Sequence, residues 1–247
     1  MDSEVDPLSH LPIGPMVEVH EACPPSRLVI VGGSVRLEPL SADRHCDSLW
    51  RETHGPDQDA RWQYLFVAPF PGVESFHAHL KSLVASDDPL FFAIVDQASG
   101  QAFGYEALMR IDRNNRCIEV GSILYGRSLQ RTVGGTEAQF LLMKYAFEDL
   151  GYRRYEWKCN ALNAPSRRAA ERLGFTFEGV FRQHMIIRGR SRDTAWYSII
   201  DHEWPTVKTA ILGWLAPENF TAGGAQKRNL AAIRDAHAPS IEGRLVY

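Results

Sequence analysis

The chain has 247 residues, of which 45% are hydrophobic and 23% charged, with a formal net charge of −3. That length and composition suit one large domain with extensions and a genuine core, and the near-neutral charge gives no global footprint for nucleic acid. No apolar run reaches the roughly 18 residues of a membrane span, the N-terminus lacks a secretory pattern, and Cys23, Cys46, Cys117 and Cys159 fall at no disulfide or zinc spacing, so a cytoplasmic protein without a metal is expected.

Residues 1–26 mix Pro, Ser and acidic residues with little periodicity and read as an irregular arm. Leu28–Val31 and Val35–Leu37 flank Gly32-Gly33 as a hairpin. Helices are expected over Asp43–Thr53 and Val73–Ser86, the second with Phe76, Leu80, Leu83 and Val84 on one face, separated by a loop from Gly55 to Pro71. Pro89–Val95, Ala102–Arg110 and Cys117–Tyr125, with turns at Ala98–Gly100 and Asn114–Asn115, read as an antiparallel meander. Thr136–Leu150 is the most regular helical pattern; Thr136 and Gln139 have capping-box spacing and Gly151 closes it. Tyr155–Cys159 is a strand. Asn163 suits the N-cap of the next helix, Pro165 its first turn and Gly174 its left-handed C′ position, with Arg167, Arg168 and Arg172 on the outer face. Phe177–Ile187 and Thr194–Ile200 form a final hairpin around Gly189, Pro205–Leu215 a helix, and Pro217–Tyr247 a polar tail with one helix near Leu230–Ala236. The tail includes Ile241–Arg244, a protease-tag sequence to which no function is given. The order predicts a mixed α/β sheet with helices on both faces, divided into an arm (1–26), a domain (27–216) and an extension (217–247).

Several positions carry chemistry on their own terms. Gln130–Thr136 places a glycine pair before the strongest helix, where backbone N–H groups and the helix dipole favour a pyrophosphate; Arg127 and Arg131 either pair with phosphates or are merely exposed. Arg153–Arg192 holds ten Lys/Arg against three Glu, either a solvated face or an attraction for a polyanion. Glu119 lies among β-branched residues, which suits a polar cleft; otherwise it is a surface Glu paired with an Arg. Glu106 on the neighbouring strand is a lesser candidate for base or substrate recognition, and His184 either borders a substrate pocket or is plain surface. The aromatic segment Trp62–Phe66, with Tyr64, is placed to shape a binding pocket. His77 and His79 alternate on a helix and do not share a face, and Cys159 has no activating neighbour in sequence, so neither zinc nor an acyl-enzyme is expected.

The run Trp157–Phe175, with its Asn…Ser…Glu…Leu-Gly-Phe pattern, resembles the GNAT N-acetyltransferase superfamily, most closely its RimJ/RimL-type branch. Val35–Leu40, Ile118–Gly121 and Arg192–Tyr197 extend the resemblance over residues 34–204. It implies a mostly antiparallel twisted sheet whose central parallel strands splay apart to admit acetyl-CoA. It also implies a direct transfer to a primary amine, on a peptide N-terminus or a small molecule, with a homodimer possible. On this basis Val133, Gly134, Gly135 and Thr136 would hold the pyrophosphate, Asn163 the pantetheine arm, and the amides of Ser122, Ile123 and Leu124 the thioester carbonyl. Trp157 and Asn160 would line the split, Glu119 would be the base, and Ser166 would protonate the leaving thiolate. Many members carry a Tyr at the position of Ala170, so the protonation step departs from the usual pattern and passes to Ser166, Tyr125 or water. That departure also leaves open a non-catalytic acyl-CoA sensor on the same fold.

Overall fold

A computed structural model describes residues 3–237; the Ile241–Arg244 segment lies outside them. A short pair, β1 (Glu4–Val5) and β2 (Pro12–Ile13), sits in the N-terminal arm. The main sheet contains β3 (Ile30–Val31), β4 (Val35–Pro39), β5 (Leu90–Asp96), β6 (Ala102–Asp112), β7 (Cys117–Tyr125), β8 (Arg154–Asn160), β9 (Thr176–Ile187) and β10 (Arg190–Ile200) in the spatial order β3-β4-β5-β6-β7-β8-β10-β9. All neighbours are antiparallel except β7 and β8.

Strand alternation divides the core between two faces. On β5, Phe91, Ala93 and Val95 pack against α1 (Ala42–Thr53), α2 (Gln58–Trp62) and α3 (Val73–Val84). Leu90, Phe92 and Ile94 face the layer of α4 (Val133–Lys144), α5 (Ala164–Leu173), α6 (Trp204–Leu215) and α7 (Leu230–His237). The mixed architecture anticipated from the element order is therefore present, with one parallel pair at its centre.

Three local expectations need correction. The segment Gly55–Pro71 contains α2, whose Trp62 is fully buried and donates Nε1 to the Thr53 carbonyl at 3.1 Å. The start of helix α4 lies four residues earlier than its capping-box spacing implied. Thr132 is the N-cap, accepting from the Gly135 N–H at 3.3 Å, and Thr136 lies inside the helix. The helix then continues into a π-helical turn over Tyr145–Asp149. Strand β10 begins at Arg190 rather than Thr194, because the long β9 partner carries the pairing to the Gly189 turn.

The extensions join the same core. Ala22 of the arm is buried, and its N–H donates to the Arg113 carbonyl at 3.0 Å. Leu230 and Ile233 of α7 are buried in the α4–α6 layer. No helix among the described residues is long and apolar enough to cross a membrane.

Candidate active site

The site begins with a strand pair that stops pairing. Strand β7 matches β8 only from Cys117–Val120 against Arg154–Trp157. Beyond that register, Gly121–Tyr125 and Lys158–Asn160 separate, and their facing backbone groups lose their strand partner. A bulge drives the separation: between the pairs Ala107–Gly121 and Tyr105–Leu124, β7 has one residue too many, and Ser122 adopts φ 49°. A non-glycine residue in the left-handed region is uncommon and here marks the point where β7 bends away.

A cleft of about 930 Å³ fills the split and is lined by residues from both faces of the sheet. One end is lined by Arg131, Gly135 and Thr136 at the start of α4, by Asn163, Arg168 and Arg172 of the α5 region, and by Trp214 and Gln226. The opposite end is lined by Arg61, Tyr64 and Phe66 of the α2 segment and by Arg192 of β10. The Tyr64 hydroxyl donates to the Leu162 carbonyl at 3.1 Å, and Arg188 donates to the Gln63 carbonyl at 2.9 Å, so the α2 segment is pinned from both sides.

The cleft gathers most of the sequence-derived candidates: Tyr64, Ser122, Ile123, Leu124, Arg131, Gly135, Thr136, Trp157, Asn160, Asn163 and Ser166 all line it. Asn163 caps α5, its Oδ1 accepting from the Ser166 N–H at 3.1 Å, which leaves the amide nitrogen free to donate. Trp157 Nε1 donates to Ser166 Oγ at 3.0 Å, so the hydroxyl accepts from the indole and keeps its own proton for another acceptor. Asn160 Oδ1 accepts from the Leu162 N–H at 2.9 Å and shapes the turn into α5.

Other candidates stand elsewhere. Trp62 belongs to the core beneath the α2 segment. Arg127 spends its guanidinium on the Arg51 and His54 carbonyls at the end of α1, at 3.0 and 2.7 Å, and does not line the cleft. Val133 and Gly134 lie at the start of α4 but do not line the cleft. Packing dictates both glycines: a Cβ on Gly134 would lie 2.8 Å from Val35 Cγ1, and one on Gly135 would lie 2.8 Å from the Leu129 carbonyl. His184 sits on β9 beside a separate hollow with Phe181, its Nδ1 2.9 Å from Thr194 Oγ1.

Glu106 is fully buried behind the cleft wall rather than in it. It accepts from the Tyr125 hydroxyl at 2.8 Å and from Gln139 Nε2, and its Oε1 has no partner. Burial pushes its carboxyl up to about 8, so it is neutral at pH 7 and unsuited to take a proton there.

Glu119 points to the α1–α3 side and is buried, its Oε2 held by Lys158 Nζ and Arg110 Nε, each at 2.8 Å. Burial raises its carboxyl against the opposing pull of Lys158 and then Arg110. Its Oε1 has no hydrogen bond among the described residues. Cys159 is a buried free thiol raised by burial, consistent with packing rather than nucleophilic work.

Arg168 and Arg172 were expected on the outer face of α5, yet both line the cleft. Arg172 donates to Thr136 Oγ1 at 3.0 Å and lies over the Trp214 ring at 4.7 Å. Their i,i+4 spacing was the available signal for a shared face. Among the described residues, no group of three His, Cys, Asp or Glu side chains is placed to hold a metal ion.

A bulged, splayed parallel pair with a helix N-terminus at its mouth defines an acyl-transfer fold, and a family model described as an acetyltransferase (GNAT) domain matches residues 34–176. The chain belongs to the GNAT acetyltransferases and is an N-acetyltransferase by family. It is 31% identical over 105 residues to a Bacillus subtilis protein named "Putative ribosomal N-acetyltransferase YdaF", a match spanning 42% of this chain and 57% of that relative. This relative agrees with the RimJ/RimL-type resemblance. A GCN5-related N-acetyltransferase from Brucella melitensis is 52% identical with a TM-score of 0.85, covering 87% of this chain and 97% of the other. A GNAT-family structure from Chromobacterium violaceum is 38% identical with a TM-score of 0.72, covering 79% and 99% respectively.

Proposed function

We propose that this protein moves an acetyl group from acetyl-CoA to a primary amine, on a peptide N-terminus or a small molecule, by direct attack in a ternary complex. The observation that carries the proposal is the cleft lined from both faces of the sheet, which offers a donor-rich mouth at one end and a separate entrance at the other. The residues present fit the cosubstrate. The first turn of α4 supplies N–H groups that have no intrahelical partner, and Arg131, Arg168 and Arg172 surround that mouth with positive charge. Asn163 has a free amide donor for the pantetheine chain.

Acetyl-CoA supplies the activated acyl group. The backbone amides of Ser122, Ile123 and Leu124, residues that line the cleft after the bulge, favour charge developing on the carbonyl oxygen. Glu119 receives the ammonium proton through water at Oε1, while Lys158 and Arg110 hold Oε2 in place. Ser166 Oγ gives its proton to the departing sulfur and takes in its place the proton that the nitrogen releases as the amide forms, the Trp157 indole fixing the hydroxyl.

A second reading, a non-catalytic acyl-CoA sensor, draws on Ala170, which is fully buried in the core where many family members carry a tyrosine. Calorimetric titration with acetyl-CoA and CoA, followed by thiol release over an amine panel, separates the two. Micromolar binding with turnover supports the transferase, binding without turnover supports the sensor, and no binding by folded protein removes both.

A further inference from the structure

Every other well-buried cation of the main sheet has its carboxylate. Lys158 is held by Glu119 at 2.8 Å and Glu156 at 2.6 Å, and Arg154 by Glu156 at 2.6 Å and by Glu178. Arg192 does not. It is only 8% exposed, its Nε is buried without a hydrogen-bond partner, and among the described residues its guanidinium makes neither a hydrogen bond nor an ion pair. The carboxylate that acts on it electrostatically, Glu119, is already committed to Lys158 and Arg110. Only Nε is closed off; the Nη atoms, which also lack a partner, remain accessible where Arg192 lines the cleft, and a cation set this deep without a carboxylate is costly unless something completes it.

Arg192 lines the cleft at its acceptor end, with the Phe66 ring 5.0 Å from its Cζ. The ring fixes the guanidinium plane without supplying an oxygen. Arg61 lines the same end, its Nη1 on the Thr53 carbonyl at 3.1 Å and its Nε also unpartnered. The two cations disfavour a polyamine, which would bring further positive charge to this end.

We infer that Arg192 is the seat for an anionic group on the acceptor, and that the preferred acceptor is an amine carrying a carboxylate. The planar fork of Arg matches a carboxylate in bidentate fashion, and a site built for such a pair rejects an analogue lacking it strongly. This inference rests on the transferase reading and narrows its acceptor. A free amino acid and an acidic side chain near a peptide N-terminus offer the same chemistry.

The test measures thiol release from acetyl-CoA with matched acceptors. These are α-, β- and γ-amino acids against their decarboxylated amines, peptides beginning with acidic residues against their carboxamide counterparts, and spermidine. Wild-type protein should favour the carboxylate member of a pair at least about 10-fold in kcat/KM. Free amino acids against peptides then identify the source. Arg192→Met should remove that preference mainly through acceptor KM, with acetyl-CoA affinity unchanged by calorimetry and an unchanged or raised Tm. Arg192→Lys should retain part of the preference. Equal rates for both members of every pair, or the same preference in Arg192→Met, would overturn the assignment. If acetyl-CoA binds but no amine turns over, calorimetry with the same carboxylic acids decides. Binding lost in Arg192→Met supports the seat, and no binding to wild-type protein removes it. Failure to bind acetyl-CoA removes the transferase reading itself and is a separate result.

Discussion

At the scale of the residue, Glu106 makes a pH-dependent contribution whose sign can be worked out. Its folded carboxyl is pushed up to about 8 by burial from an ordinary 4.5. Below pH 4.5 both folded and unfolded states hold the proton. Between pH 4.5 and 8 the folded state retains a proton that the unfolded state has lost, so stability falls as pH rises through that window. Glu106→Gln keeps a neutral group of the same shape and should flatten the decline. Melting curves at pH 5 and pH 8 would show the difference, and equal slopes for both proteins would show that Glu106 is ionised in the fold. Ser166 gives a second expectation. The Asn163 cap uses the Ser166 backbone N–H rather than its hydroxyl, so Ser166→Ala keeps the cap. The variant should lower kcat by about 10²–10⁴-fold if the hydroxyl supplies the proton, with acetyl-CoA affinity nearly unchanged by titration. An unaltered kcat would pass that role to Tyr125 or water.

At the scale of the element, the parts legible in sequence were those whose cause is local. Asn163, Pro165 and Gly174 start and stop α5 where their chemistry demands, with Gly174 at φ 105°. Asn163→Ala should therefore cost about 0.5–2 kcal/mol through the lost cap, read as a lowered denaturation midpoint, besides weakening acetyl-CoA. Helix α4 was displaced because Thr136 and Gln139 mimic a capping box while Thr132, four residues earlier, caps the helix. Thr136 and Gln139 are instead buried side chains, the first accepting from Arg172 and the second donating to Glu106. A five-residue helix such as α2 has too weak a local signal to stand out, since short helices owe their stability to packing; here Trp62 supplies it. The placement of Arg168 and Arg172 depended on how α5 rolls against the split, which only the assembled sheet decides. Arg192 was visible as a residue but not as an unpaired one, because its surroundings come from β10, the α2 segment and β7 together.

At the scale of the whole molecule, the C-terminal extension is structural as well as peripheral. Leu230 and Ile233 are buried, Arg234 donates to the Glu171 and Arg172 carbonyls at the end of α5, and Gln226 reaches the cleft and accepts from Trp214 Nε1 at 2.9 Å. Removing residues 217–247 takes away two buried apolar side chains, Leu230 and Ile233, each worth roughly 1.5–3 kcal/mol, and uncovers the apolar surface they pack against. The truncated protein should melt at a lower temperature and bind acetyl-CoA more weakly, since the wall carrying Arg172 loses its backing. Calorimetry alongside a thermal scan checks both, and an intact affinity would confine the extension to stability alone.

The cleft takes its walls from both faces of the sheet instead of denting one side of it. An occupant entering beside α4 and α5 and one entering beneath the pinned α2 segment travel towards each other and never share a doorway. Neither needs the other to vacate before it can leave, so the order of product departure is free to follow relative affinity rather than obstruction. Under the proposed transfer, a spent carrier would be exchanged from one side while the modified amine is still seated on the other.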